Sequence, residues 1–135
     1  RKVGEAVKAH STYKEEDTVV PRFYLPELLK TVKEIGSKYG FNSVCYGHAG
    51  DGNLHVNILK GNLDDQKWNE ELPLAIRELF EKVVALGGTI SGEHGIGLVQ
   101  KPYMDIAFPE VTLQIMRNIK NVFDPNGILN PGKIF

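Results

Sequence analysis

Apolar and polar positions follow two alternating registers along this chain, and each change of register marks an element. Asp17-Thr18-Val19-Val20 is short, β-branched and closed by Pro21, which cannot extend a ladder, so it predicts a strand. Pro26 opens a helix in which Leu28, Leu29, Val32 and Ile35 recur at helical spacing, and Gly40 after Tyr39 supplies the residue a helix C-cap favours. Around Ala49-Gly50-Asp51-Gly52 the period falls to two. Asp-Gly and its neighbouring glycines offer the positive φ of a tight turn, which predicts a hairpin with His48 opposite Asn53 and Tyr46 opposite His55. Asp64 and Asp65 are N-caps for a helical stretch holding Trp68 and Leu72, and Pro73 starts or kinks the main helix. Leu74, Ile76, Leu79, Phe80, Val83, Val84 and Leu86 form its stripe, ended by Gly87-Gly88. Thr89-Ile90-Ser91 predicts a short fourth strand. A last helix runs from about Pro109 to Phe123 with Leu113, Met116, Ile119 and Val122 on one side, and Asp124-Pro125-Asn126-Gly127 stops it. Ile128 to Phe135, with Pro131 and Gly132, reads as an extended tail over a neighbouring surface. Arg1 to Lys8, with Val3, Ala6 and Val7 on one side, reads as the end of a helix.

The order strand, helix, strand, strand, helix, strand predicts an α+β fold of the ferredoxin-like, split βαβ type, plus the C-terminal helix and tail. Both helices of that arrangement cover one face of an antiparallel sheet. Alternation then places Val44, Tyr46, His48, Asn53, His55 and Asn57 together on the other face, opposite Cys45, Gly47, Leu54, Val56 and Ile58. Trp68, Phe80, Met116 and Phe123 are expected in the core.

Composition narrows the classes. A chain of 135 residues buries one core, so residues 1–135 are expected to form a single domain. Its 16 basic and 17 acidic residues nearly cancel, with no basic cluster among aromatics, which argues against a nucleic-acid partner. The single cysteine, Cys45, suits a reducing, cytoplasmic setting. No apolar run approaches the roughly 18 residues of a membrane span, and no leader segment opens the chain. It begins at Arg1, inside a helical pattern, which suggests a piece of something longer.

The hairpin carries candidate chemistry. His48 and His55 become diagonal neighbours across the turn, close enough to converge on one ion, and Glu93 supplies a carboxylate. Two imidazoles and one carboxylate leave coordination positions open, the pattern of a catalytic zinc or manganese site. Once Glu93 turns to the metal, the adjacent His94 is free to act as a general base. Asn57, ahead of Tyr46, is a candidate for contact with a bound molecule. The glycines at 50, 52, 92, 95 and 97 lack the strand to glycine loop to helix order of phosphate sites, and are read as turns and close backbone approaches to a ligand. Lys101 and Lys133 are read as solvated charges. Two other classes stay open on these residues: a metal-dependent hydrolase or oxygenase without flavin, and a non-catalytic ferredoxin-like binding or assembly module.

Gly-His-Ala-Gly-Asp-Gly-Asn-Leu-His-Val-Asn (47–57), Gly-Gly-Thr-Ile-Ser-Gly-Glu-His-Gly-Ile-Gly (87–97) and Phe-Asp-Pro-Asn-Gly-Ile-Leu-Asn-Pro-Gly-Lys (123–133) together resemble one family over nearly the whole chain. It is the C-terminal cap domain of FAD-linked 2-hydroxy-acid dehydrogenases: glycolate oxidase D subunits, D-lactate dehydrogenases and D-2-hydroxyglutarate dehydrogenases. The resemblance implies oxidation of a D-2-hydroxy acid to the 2-oxo acid by hydride transfer to FAD. It implies His48, His55 and Glu93 as ligands of a divalent metal, His94 as the base, and Asn57, Arg1 and Lys14 as substrate contacts. Asn130 would lie near the cofactor. FAD is expected to be bound mainly by a domain absent from this chain, the FAD-binding domain of the same polypeptide, which becomes the expected partner, so the piece alone is expected to be inactive. A downstream electron acceptor, an oligomer and a position peripheral to the inner membrane belong to the same expectation.

Overall fold

A computed structural model describes residues 4–6, 9 and 11–135. Three antiparallel strands form one sheet: β1 (Tyr13–Val19), β2 (Asn42–His48) and β3 (Asn53–Leu59), ordered β1-β3-β2. The hairpin register is the expected one, with Tyr46 opposite His55 and His48 opposite Asn53. A 3-10 turn over Ala49–Asp51 and a left-handed Gly52 (φ 73°) close it. A side chain at Gly52 would meet the Val20 carbonyl, so glycine is required there by space as well as by φ.

Helices α1 (Leu25–Tyr39) and α2 (Leu72–Ala85) pack on one face of the sheet. Leu28, Val32 and Ile35 of α1, Ile76, Leu79, Phe80 and Val83 of α2, and Leu54, Val56 and Ile58 of β3 make the core. Gly40 ends α1 in the left-handed region (φ 76°), as its position predicts. Asp64 Oδ1 accepts from the Lys67 N–H at 2.7 Å, the capping read for it. Lys67–Glu71 forms a π-turn just before α2, and Pro73 stands in the first turn of that helix, so of the two readings it is the start that agrees.

The edge next to β1 differs from expectation. Thr89-Ile90-Ser91 joins the sheet through a single bridge, Val19 to Thr89, and beyond it the N–H groups of Gly92, Glu93 and His94 turn to the Asp17 side chain instead of forming a ladder. β1 in turn begins at Tyr13, earlier than its β-branched part suggests, and places Glu16 on the helix-covered face opposite Val56. Glu16 is fully buried. Its Oε2 accepts from Gln100 Nε2 at 3.0 Å while Oε1 has no hydrogen-bond partner, and burial pushes its pKa up to about 7 against the pull of Lys14.

Two further expectations are corrected. After the short α3 (Met104–Ala107), helix α4 (Glu110–Phe123) buries only Leu113; Met116 is half-buried and Phe123 is exposed, so neither is core. The tail after Asp124 is not extended. It coils through turns whose first is capped by Asp124, its carboxylate accepting from the Ile128 and Leu129 N–H groups at 2.9 Å each. Among the described residues no helix is long and apolar enough to cross a membrane.

Candidate metal centre

β3 is the central strand, so its open-face residues Asn53, His55 and Asn57 are bordered on both sides. Glu15 and Asp17 of β1 lie opposite Asn57 and His55, and Val44, Tyr46 and His48 of β2 line the other flank. The face is free of α1 and α2, as expected, yet it is not simply open. Tyr46 stacks on His55 with ring centroids 5.6 Å apart, a side chain at Gly4 would touch the Tyr46 hydroxyl, and His55 and Asn57 are buried.

His48, His55 and Glu93 converge. Glu93 Oε1 lies 3.1 Å from His55 Nε2 and 3.7 Å from His48 Nε2. Donors around a tetrahedral ion with ligand bonds of 2.0–2.1 Å sit roughly 3.3 Å apart, so this set fits a small divalent cation with little movement. His55 is the buried anchor, whereas Glu93 and His48 are more than half exposed, which leaves the solvent side available to a further ligand.

The other nitrogen of His55 identifies a residue that sequence reasoning missed. His55 Nδ1 faces Glu15 Oε1 at 3.3 Å, without the alignment of a hydrogen bond, and Tyr46 Oη approaches the same oxygen at 3.4 Å. Glu15 therefore occupies the place of the outer carboxylate that commonly orients a metal-ligating imidazole. Glu15, His55 and His94 also form a second donor set sharing His55. The available signal was alternation: once β1 starts at Tyr13, Glu15 must share a face with Asp17.

Asp17 holds the Gly-Glu-His run in place. It is fully buried, and its Oδ2 accepts from the N–H groups of Gly92 (2.9 Å), Glu93 (2.6 Å) and His94 (2.8 Å), while Oδ1 accepts from Asn53 Nδ2. Burial would raise its pKa, but the backbone donors of His94 and Glu93, the Asn53 amide and the nearby His94 ring hold it below the ordinary range. Gly92 approaches so closely that a side chain would strike Asn53 and Asp17, so the close approach read for this glycine is to the protein itself. His94 leaves the run with its ring 5.0 Å from that of His55 and its Nδ1 4.0 Å from Asp17 Oδ2.

Asn57 is buried with both amide atoms unpartnered, the state of a group that needs a bound molecule or water to satisfy it. Lys14 departs from expectation: it is paired with Ile58 in β1, on the helix-covered face, and its Nζ lies 3.9 Å from Glu16. Strand alternation directs it away from the histidines. Asn130 sits in the tail with its Oδ1 accepting from Lys133, and Lys101 donates to the Gly132 carbonyl, so neither lysine is simply solvated. Arg1 lies outside the described residues. A cleft of about 770 Å³ lined by Thr12, Phe41 and Leu59 lies at the far end of the strands and contains none of the donors.

Comparison with known proteins gives the family of the chain. Residues 2–134 match the family model for FAD linked oxidases, C-terminal domain. The chain is 40% identical over 120 residues to the glycolate oxidase subunit GlcD of Bacillus subtilis, covering 89% of this chain and 25% of that protein. It is 37% identical over 131 residues to a D-lactate dehydrogenase of Anaerostipes hadrus (96% and 28%) and 38% identical over 136 residues to a D-2-hydroxyglutarate dehydrogenase of Stutzerimonas stutzeri (98% and 29%). It thus spans little more than a quarter of the length of these relatives. All three motifs, the first two of which supply the donors of this face, lie within the matched span, and the chain belongs to the family of FAD linked oxidase C-terminal domains.

Proposed function

We propose that this chain is the substrate and metal half of an FAD-dependent oxidoreductase that converts a D-2-hydroxy acid such as glycolate or D-lactate to its 2-oxo acid. The convergence of His48, His55 and Glu93 at donor spacing, on a face that also holds an unpartnered Asn57 amide, carries this reading. The printed names of the relatives supply the substrate class.

His48 Nε2, His55 Nε2 and Glu93 would hold the divalent ion, zinc or manganese by donor type. When bound, it supplies positive charge that attracts the carboxylate and hydroxyl oxygens of the substrate and lowers the hydroxyl pKa. The flavin, carried by the FAD-binding domain of the intact polypeptide, supplies the hydride acceptor. The remaining work belongs to side chains of this chain. His94, whose Nδ1 lies 4.0 Å from the Asp17 carboxylate, takes the hydroxyl proton on an imidazole nitrogen. Asn57 offers its amide to the substrate, and Glu15 orients His55. Preorganised charge and positioning account for most of the acceleration.

Replacing His55 with Ala in the full-length protein tests the assignment. The expected result is retained flavin, loss of the stoichiometric metal by elemental analysis, and loss of flavin reduction by the hydroxy acid. Flavin reduction at the original rate overturns it.

A further inference from the structure

Two adjacent acids of β1 grip the two ends of one segment. Asp17 accepts from the N–H groups of Gly92, Glu93 and His94, where residues 92–100 begin. Glu16, on the other face of the sheet, accepts from Gln100 Nε2 at 3.0 Å, where they end. No helix or strand spans the stretch between. It is tied on the way by single hydrogen bonds, from the Gly95 N–H to Ser91 Oγ and from the Ile134 N–H to the Gly97 carbonyl. Side chains of β1 thus hold in place what a ladder holds elsewhere.

The grip of Glu16 leaves two acceptors over. Glu16 and Gln100 are 0% and 5% exposed, and in each one oxygen, Glu16 Oε1 and Gln100 Oε1, has no hydrogen-bond partner. A buried acceptor without a donor destabilises the fold. Here one proton serves both. A carboxylic acid protonated on Oε1 donates to the amide oxygen while the amide nitrogen donates to Oε2, which closes a ring of two hydrogen bonds. The charged and titratable groups around Glu16 do not replace that proton. Lys14 Nζ stands 3.9 Å from Oε1, beyond hydrogen-bond distance, on a side chain 29% exposed. On α2, Arg77 is held by both Asp105 oxygens and by the Pro102 carbonyl, and its guanidinium lies 5.8 Å from the Tyr103 ring. Tyr103 is buried and its phenol is pushed up, first by burial and then by Glu16, so it is neutral. Glu15 lies on the opposite face, and Val56, the β3 partner of Glu16, is apolar. The raised pKa of Glu16, about 7, agrees with a retained proton.

We propose that Glu16 and Gln100 form a neutral acid–amide clamp, in which one proton on Glu16 Oε1, donated to Gln100 Oε1, fastens the far end of the segment that carries Glu93 and His94. The two are positioning residues, since they act on Glu93 and His94 only through residues 95–99. Loss of the proton opens the ring and sets two acceptors, one of them charged, against each other. The segment then keeps its Asp17 end, a fixed anion, and loses its Glu16 end. The proposal rests on the functional reading above only for the task of Glu93 and His94.

Hydrogen exchange of the full-length protein, read by mass spectrometry and corrected for the intrinsic effect of pH, tests the clamp. Protection of residues 92–100 is expected to fall roughly tenfold between about pH 5.5 and about pH 8.5, with α1 as an unchanged internal control. Glu16→Gln closes the same ring as an amide–amide pair with no proton to lose, so its segment is expected to stay protected across the range. Gln100→Leu cannot close the ring and is expected to be poorly protected at both ends of it. The infrared difference between the parent protein and Glu16→Gln at low pH is expected to contain the carbonyl stretch of a neutral carboxylic acid. The same pH dependence in the parent and in Glu16→Gln overturns the proposal, and so does an equal change in α1. A difference spectrum with ionised carboxylate bands alone also overturns it, assigning Glu16 to an ion pair with Lys14. These readouts involve neither metal nor turnover, so their outcome is independent of the His55→Ala result.

Discussion

Glu16 and Asp17 are adjacent acids on one strand, both fully buried, and they behave in opposite ways. Glu16 points to the face covered by α1 and α2, where one side-chain amide donates to it and one oxygen has no hydrogen bond. Its proton is retained to about pH 7. Asp17 points to the other face, where three backbone N–H groups and an amide donate to it, and it ionises below the ordinary carboxylate range. Burial is common to both, so burial alone does not set the charge. The number and direction of donors does. The two faces of the sheet are thereby assigned separate work: one makes a core that tolerates a neutral acid, and the other uses a fixed anion to hold a loop carrying Glu93 and His94.

The strongest way to break this contrast is Asp17→Asn. The substitution removes the charge and turns one acceptor into a donor facing three N–H groups, at an expected cost of roughly 3 kcal/mol in urea unfolding. Loss of metal retention should accompany it, because residues 92–94 are no longer anchored. Unchanged stability would show that the loop is held by something else.

Glu16 sharpens the contrast through pH. Its pKa is raised on folding, so between pH 4.5 and about 7 the folded state holds more protons than the unfolded one, and stability falls as pH rises through that window. The shift corresponds to about 3 kcal/mol at most. Glu16→Gln should flatten this part of the stability profile and raise stability at pH 8. A profile identical to that of the parent chain would mean that Glu16 is not neutral when folded.

Glu15→Gln is the smallest change in stability and the most informative about the open face. Its Oε1 lies at the edge of the site, beside His55 Nδ1 and the Tyr46 hydroxyl, and unfolding should move by less than about 0.5 kcal/mol. Metal affinity by chelator competition should nonetheless fall about 10- to 100-fold, the usual effect of losing an outer carboxylate. Affinity at the parent level would reduce Glu15 to a neighbour of the site.

Much of this was legible in local sequence. The Ala49–Gly52 turn fixed which residues face each other across the hairpin, because a turn of defined length leaves one register; His48, His55 and Asn57 could be placed on one face without tertiary information. Both core helices were readable from their stripes. Lys14 came only from the resemblance, and β1, which opens with the polar run Tyr-Lys-Glu-Glu, places it opposite Ile58 on the helix-covered face. Glu15 was missed because that run gives no alternation to read. On α4 the side read as Leu113, Met116, Ile119 and Val122 is covered only at Leu113 and partly at Met116, since an amphipathic helix declares that it needs a partner and not where the partner is.

By itself, then, the sequence determined the two core helices, the hairpin register and the placing of His48, His55 and Asn57 on one sheet face, all of which follow from spacing within a few residues of chain. Only the tertiary structure decided that Asp17 anchors a loop 75 residues away, that Glu15 backs His55, that Glu16 is buried neutral, and that α4 turns its apolar side outward. Those outcomes depend on which donors and surfaces distant segments bring to a residue, and no local pattern carries that information.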